Sequence, residues 1–355
     1  MSKQILLNQM IQDDCSRSII EPLFFDDLKN QVVLVTGGTG FIGKWVAEMI
    51  VFANQTMQAN IKLYLLGRDI ERFRKEVPHL AKNPSIHLIE HDIRNLYDLP
   101  SEVQWVINAA GTPDNREHAS QPLKTLDILY KGTMALLEAC FRLPGLKKII
   151  HLSSHQVYGY RESNERIVEK EMGTLAPNSI NSAYAEGKRI SETICAIFRN
   201  QHKLPITIVR PFAFIGPYQS LNKPWAVNNF IRDGILGGPI RILGNENTVR
   251  SYLYASDMAY YLICLLTKGA VGETYNLGSE ESIALNELAK RVVKHIGSTP
   301  LEIVLKSSKE SYTEATCYVP NMDKSKNDVF FKIRFTLDEA LERTILWNQI
   351  INIVE

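Results

Sequence analysis

From Val32 to Arg210, short apolar runs rich in β-branched residues alternate with longer stretches whose apolar positions recur at helical spacing. The runs predict strands at 32–36, 61–66, 86–89, 104–108, 148–153 and 206–210. Strand and helix in strict alternation predict an α/β fold, a doubly wound parallel sheet covered on both faces. After the first strand, Trp45, Val46, Met49 and Ile50 mark the buried stripe of a helix, and Leu126, Leu129, Leu136 and Leu137 do the same between Pro122 and Cys140. Both stripes read as core.

After Arg210 the rhythm changes. Pro211, Gly216-Pro217, Pro224, Gly234, Gly237-Gly238-Pro239 and Gly244 punctuate the chain too often for another strand–helix–strand unit, so a smaller lobe begins there. The expected division is a helical extension over 1–30, a dinucleotide-binding domain over 31–212 to which 252–277 returns, and a C-terminal substrate-binding lobe from 213–251 and 278–355. The helix Leu285–Ile296 belongs to that lobe, and the extension is expected to be a packing arm or an oligomer contact.

The first strand runs straight into glycines at 37, 40 and 43. The first permits a tight strand-to-helix turn, the second lets backbone approach a pyrophosphate, and the third lets helix pack on strand, while the helix N-terminus offers free N–H donors. A dinucleotide is therefore expected over Gly37–Gly43. Which one turns on the tip of the second strand, Gly67-Arg68-Asp69. A carboxylate at that tip suits a ribose 2′-hydroxyl, and an arginine suits a 2′-phosphate. With Gly67 at the tip and Arg68 next, NADP is the expected cofactor, and Asp69 leaves NAD open.

Composition narrows the setting. Forty basic and thirty-nine acidic side chains among 355 residues leave a net charge of +1, so nothing points to nucleic acid or a membrane surface. Five scattered cysteines without a Cys-x-x-Cys pair predict free thiols and a reducing, cytoplasmic setting. The apolar run Ala259–Leu266 is far short of the ~20 residues of a membrane span. The eight histidines show no metal-ligand spacing, and no metal is expected.

The ordered motifs resemble the extended short-chain dehydrogenase/reductase superfamily, in its nucleotide-sugar epimerase/dehydratase branch, over roughly residues 31–350. They are Thr36–Gly43, Asp92-Ile93, Asn108–Gly111, Ser153–Gly159, Tyr184-Ala-Glu-Gly-Lys188, Arg210-Pro211, Arg250 and Tyr275–Gly278. The resemblance implies a Rossmann fold, a nucleoside diphosphate sugar as substrate and, we expect, a homodimer. It implies cofactor contacts at Gly37, Thr39, Gly40, Phe41, Ile42, Gly43, Arg68, Asp92, Ile93, Ala109, Ala110, Gly111, Tyr184 and Lys188. Catalysis falls to Ser154, Tyr184, Lys188 and His155, and substrate binding to Arg250, Gln156, Asn228 and Asn229. Two positions depart from the family habit of asparagine: Leu129 and Ala213.

A tyrosine of ordinary pKa near 10 is too weakly ionised to take a hydroxyl proton at neutral pH, so the cation of Lys188, one helical turn on, is expected to assist it. Ser154 would orient the same hydroxyl. Related dehydratases carry Asp-Glu where this chain has His155-Gln156, and an amide transfers no proton. A 4-epimerase needs no such pair. Epimerisation through a 4-keto intermediate is therefore the first expectation and 4,6-dehydration the second, with a keto-sugar reductase or uronate decarboxylase behind them. A non-catalytic NADP-binding regulator would need the glycine turn but not Ser154, Tyr184 and Lys188.

Overall fold

The computed structural model describes residues 3–111, 114–297, 301–305 and 315–352. Strands β1 (Val32–Thr36), β2 (Lys62–Gly67), β3 (Ile86–Glu90), β4 (Trp105–Asn108), β5 (Lys148–Leu152) and β6 (Ile206–Pro211) fall within a residue of the runs read from the sequence. Then β7 (Ala213–Ile215), β8 (Ile240–Ile242) and β9 (Val249–Tyr254) leave the plane, and β10 (Thr274–Leu277) returns to pair with β6. The result is a seven-stranded parallel sheet in the order β10-β6-β5-β4-β1-β2-β3. A smaller sheet forms around β9, with β7, β11 (Ser282–Ala284) and β13 (Cys317–Tyr318) as its partners, and β12 (Ile303–Leu305) pairs with β8.

The helices follow in chain order. An N-terminal arm, α1 (Lys3–Ser18), precedes α2 (Phe41–Met57), α3 (Ile70–Glu76) and α4 (Pro78–Ala81). Next come α5 (Asn115–Ser120), α6 (Pro122–Phe141), α7 (Ala183–His202) and α8 (Ala226–Ile235). The chain continues through α9 (Ala255–Lys268), α10 (Leu285–Ile296), α11 (Asp323–Val329) and α12 (Leu337–Asn352).

Period-two alternation gives each strand two buried faces. Val33 and Val35 pack with α1, α2 and α9, whereas Leu34, Val106 and Ile149 pack with α6 and α7. Helix α9 is buried from Ala255 to Leu266, which accounts for its apolar run. The arm α1 buries Leu7, Met10, Ile11 and Cys15 in the same core and is pinned by Ser18 Oγ donating to Asp257 at 2.7 Å. All five cysteines are free.

The lobe core forms where α8, α10 and α12 pack over the small sheet, with Phe230, Ile231, Leu288, Val292 and Leu341 buried. The C-terminal segment 278–355 is not wholly in this lobe, because Met322, Val329 and Phe331 bury themselves with α9 in the core of the large sheet. Likewise residues 252–254 complete β9 in the small sheet before α9 rejoins the large one. Between sheet and lobe, at the C-terminal strand ends where the strand order reverses beside β1, lies a cleft of about 1100 Å³.

Candidate active site

The cleft begins at the glycine turn. Gly37 sits at φ +64°, where a Cβ would stand 2.6 Å from the Ala109 carbonyl oxygen, so only glycine lets β1 turn this close to β4. Gly40 caps α2 without a side chain, and Gly43 packs directly on the Gly38 backbone. The first-turn N–H groups of α2 are thereby left to an anion. Thr39, Phe41 and Ile42 line the near wall of the cleft and Ala109, Ala110 and Gly111 the far one. A Cβ on Gly67 would meet the Thr39 hydroxyl at 2.5 Å, so β2 ends against the turn with no room for a carboxylate at its tip.

Beyond that tip, Arg68 lines the cleft and so does Arg72, which the sequence reading did not single out. Asp69 is absent from the lining, because its Oδ1 accepts from the Arg72 backbone N–H at 2.9 Å and caps α3. Asp92 and Ile93 line the cleft after β3. Arg94 hydrogen-bonds both Asp92 oxygens, holding that carboxyl down to about 2, and continues to Asp127 at 2.8 Å.

At the centre, α7 presents Tyr184 and Lys188 on one face, and Ser154 begins the 3-10 turn that follows β5. All three are buried, yet all line the cleft. Burial pushes the Tyr184 phenol up to about 12, opposed by its hydrogen bond to Ser154. Lys188 Nζ stands 5.9 Å from the Tyr184 ring centroid and donates to the Leu152 carbonyl at 2.7 Å, and burial brings it down to about 8. One feature with no signal in the sequence is His118 of α5, whose ring stacks on Tyr184 at 4.0 Å between centroids and 12° between planes.

The lobe side of the cleft is aromatic. His155 lies against Phe212 and Tyr318, each 5.4 Å away between ring centroids, with Nδ1 3.3 Å from the Pro211 carbonyl oxygen. Burial first, and Arg250 second, lower it to about 4, so it is a neutral imidazole at pH 7. Gln156 also lines the cleft, its backbone N–H donating to Ser154 Oγ at 3.2 Å. Arg250 spends three N–H donors on the Val249 and Thr316 carbonyls and the Thr316 hydroxyl, with Tyr318 5.0 Å beneath it. Among the described residues no carboxylate forms an ion pair with it, and it lines the cleft.

Asn228 and Asn229 do not join the site. Asn228 is buried on α8 and donates to the Ser220 carbonyl at 2.8 Å, Asn229 lies within the same helix, and neither lines the cleft. Lys223 and Trp225, which precede α8, line it instead. Arg210 is structural: Glu192 pairs with it at 2.7 Å and 2.9 Å. No group of three metal-ligating side chains occurs among the described residues, and no helix there is long and apolar enough to cross a membrane.

Known proteins resemble the chain in sequence and in fold. UDP-glucuronic acid decarboxylase 1 of Xenopus tropicalis is 25% identical over 322 residues, covering 91% of this chain and 73% of that protein. The structure of UDP-glucuronic acid 4-epimerase from Bacillus cereus, in complex with UDP-glucuronic acid and NAD, superposes with a TM-score of 0.76 at 21% identity, covering 91% of this chain and 100% of that one. dTDP-glucose 4,6-dehydratase from Bacillus anthracis, in complex with NAD, does so with a TM-score of 0.73 at 23% identity, covering 90% and 96%. The family model of NAD dependent epimerase/dehydratases matches residues 33–278, from β1 through the glycine after β10. That span holds the glycine turn, Ser154, Tyr184, Lys188 and Arg250 in one cleft, and the chain belongs to the NAD-dependent epimerase/dehydratase family, within the extended short-chain dehydrogenases/reductases.

Proposed function

We propose that the protein is a nucleoside-diphosphate-sugar 4-epimerase that uses NADP in preference to NAD. The observation that carries the reading is the Ser154–Tyr184–Lys188 group beside a neutral His155 and an amide at Gln156. The cleft suits a dinucleotide, since its glycine turn leaves a backbone cradle that a Cβ would fill. The N–H groups of α2 would hold the pyrophosphate, Arg68 and Arg72 the 2′-phosphate, Asp92 and Ile93 the adenine end, and Tyr184 and Lys188 the nicotinamide ribose. When bound, the nicotinamide supplies a reversible hydride acceptor.

The chain's own residues supply the proton chemistry. A phenol raised to about 12 ionises only when positive charge gathers near it, and Lys188 is the fixed cation at hand. The Tyr184 phenolate then takes the sugar 4-hydroxyl proton while Ser154 holds that oxygen, and the proton returns once the keto sugar has presented its other face. Arg250 would pair with the diphosphate. Gln156 is an amide and transfers no proton, and His155, lowered to about 4 by burial, holds no proton to give a departing 6-hydroxyl at neutral pH, so the acid–base pair of a dehydratase is incomplete here.

A second reading, uronate decarboxylation, has in its favour the similarity to UDP-glucuronic acid decarboxylase 1 of Xenopus tropicalis. It shares the oxidation at C4 and the role of Tyr184. The deciding experiment incubates the protein with a panel of nucleoside diphosphate sugars in heavy water and weighs the products. An isobaric product without deuterium at C5 supports epimerisation. Loss of carbon dioxide establishes the second reading, and loss of water with deuterium at C5 means dehydration.

The homodimer would form through α6 and α7. Leu123, Tyr130 and Phe141 on one and Ile190 and Ile197 on the other are exposed at spacings that place them on single helix faces. The free thiols favour a reducing, cytoplasmic setting.

A further inference from the structure

His118 lies outside every motif and does not line the cleft, yet its ring covers one face of the residue on which the proposed chemistry depends. It is 8% exposed, as is Tyr184. A flat stack of two buried rings leaves the phenol few alternative rotamers, which matters because Tyr184 must meet both Ser154 and the substrate hydroxyl.

The helix that carries His118 is fastened to the lobe. Asp114, at its N-cap, accepts from the Arg116 backbone N–H at 3.0 Å, and its carboxylate binds Arg116 at 2.9 Å and Lys223 at 3.1 Å. Arg116 also donates to the Asn222 carbonyl at 2.9 Å. Lys223, Pro224 and Trp225 form the lobe-side wall of the cleft. A continuous set of contacts therefore runs from the substrate wall through α5 to the Tyr184 ring.

We propose that His118 is a positioning residue for Tyr184, holding the phenol against Ser154 by ring stacking and tying that alignment to the lobe through Asp114 and Arg116. The proposal rests on Tyr184 being the proton-transfer group of the preceding section. A lobe wall that shifts when sugar binds would carry α5, and with it the stacked ring, into the aligned position.

The test compares His118→Ala with His118→Phe, which rebuilds a flat ring. A misplaced phenol should lower kcat by about 10–100-fold in the alanine variant, with KM and NADP affinity within about threefold of wild type. The phenylalanine variant should recover to within about threefold. Added to Tyr184→Phe, the alanine change should cost nothing further, because its effect passes through the hydroxyl already removed. Equal losses in the alanine and phenylalanine variants, or a multiplied loss in the double variant, overturn the proposal.

A measurement that needs no substrate separates this proposal from the epimerase reading. In protein labelled with ¹³Cζ-tyrosine, the resonance missing from Tyr184→Phe belongs to Tyr184. It should move in His118→Ala and stay in His118→Phe. A resonance that His118→Ala leaves in place rules out the positioning role, whatever reaction the protein performs.

Discussion

The Asp69 carboxylate accepts a hydrogen bond from the Arg72 backbone N–H at 2.9 Å, turning the only acid at the tip of β2 into the N-cap of α3. Arg68 and Arg72 both line the cleft, with Arg72 Nε 3.8 Å from Asp69 Oδ2 and 3.6 Å from Glu76 Oε1. What the sequence offers as a choice between acid and base at one strand tip is thus divided by the fold: the acid caps α3, and the arginines line the cleft.

Cofactor preference should follow this division. Arg68→Ala with Arg72→Ala should weaken NADP by about 10–100-fold, the worth of charge-assisted phosphate contacts, and NAD by no more than about threefold. Titration of each nucleotide by intrinsic fluorescence measures both. Equal weakening of the two would show that these arginines do not read the 2′-phosphate.

Removing one oxygen tests the proton-transfer group. Tyr184→Phe should keep the ring in its buried site and retain nucleotide binding while turnover falls by about 10²–10⁴-fold. Residual turnover within about tenfold of wild type, equivalent to ~1.4 kcal/mol, would remove Tyr184 from the mechanism.

The alkaline limb of the pH profile should report Lys188. Burial brings its ammonium down to about 8, so the cation that favours phenolate is present below that pH and lost as pH rises through it. Turnover under saturating substrate should fall above about pH 8. Lys188→Arg should turn over more slowly but move the limb upward, since guanidinium stays charged. An unchanged limb in the arginine variant would assign it to another group. His155, held near 4 by burial, should contribute no inflection between pH 6 and 8.

The exposed faces of α6 and α7 make a prediction about assembly. Tyr130→Glu with Ile197→Glu places charge on both faces without disturbing a buried side chain, because the two residues are 43% and 45% exposed. Light scattering should then report a monomer at concentrations where the unaltered protein is a dimer. A wild-type monomer, or a double variant that still dimerises, would rule out this surface.

The sequence by itself determined the parallel sheet and the turn that opens the cleft. These are local, as is a third feature: β-branched runs set the strands, Gly37 supplies a positive φ, and a four-residue spacing puts Tyr184 and Lys188 on one face of α7. Tertiary structure alone decided the partners. Asn228 and Asp69 look available in the sequence, yet Asn228 is buried holding the Ser220 carbonyl and Asp69 is taken by the first turn of α3. His118 has no motif, and its stack on Tyr184 joins two segments that only the packed chain brings together, while Arg116 ties α5 to Asn222 about a hundred residues later. Periodicity and turn chemistry act over a few residues and can be read along the chain, whereas a stack or an ion pair between distant segments exists only once the chain has packed.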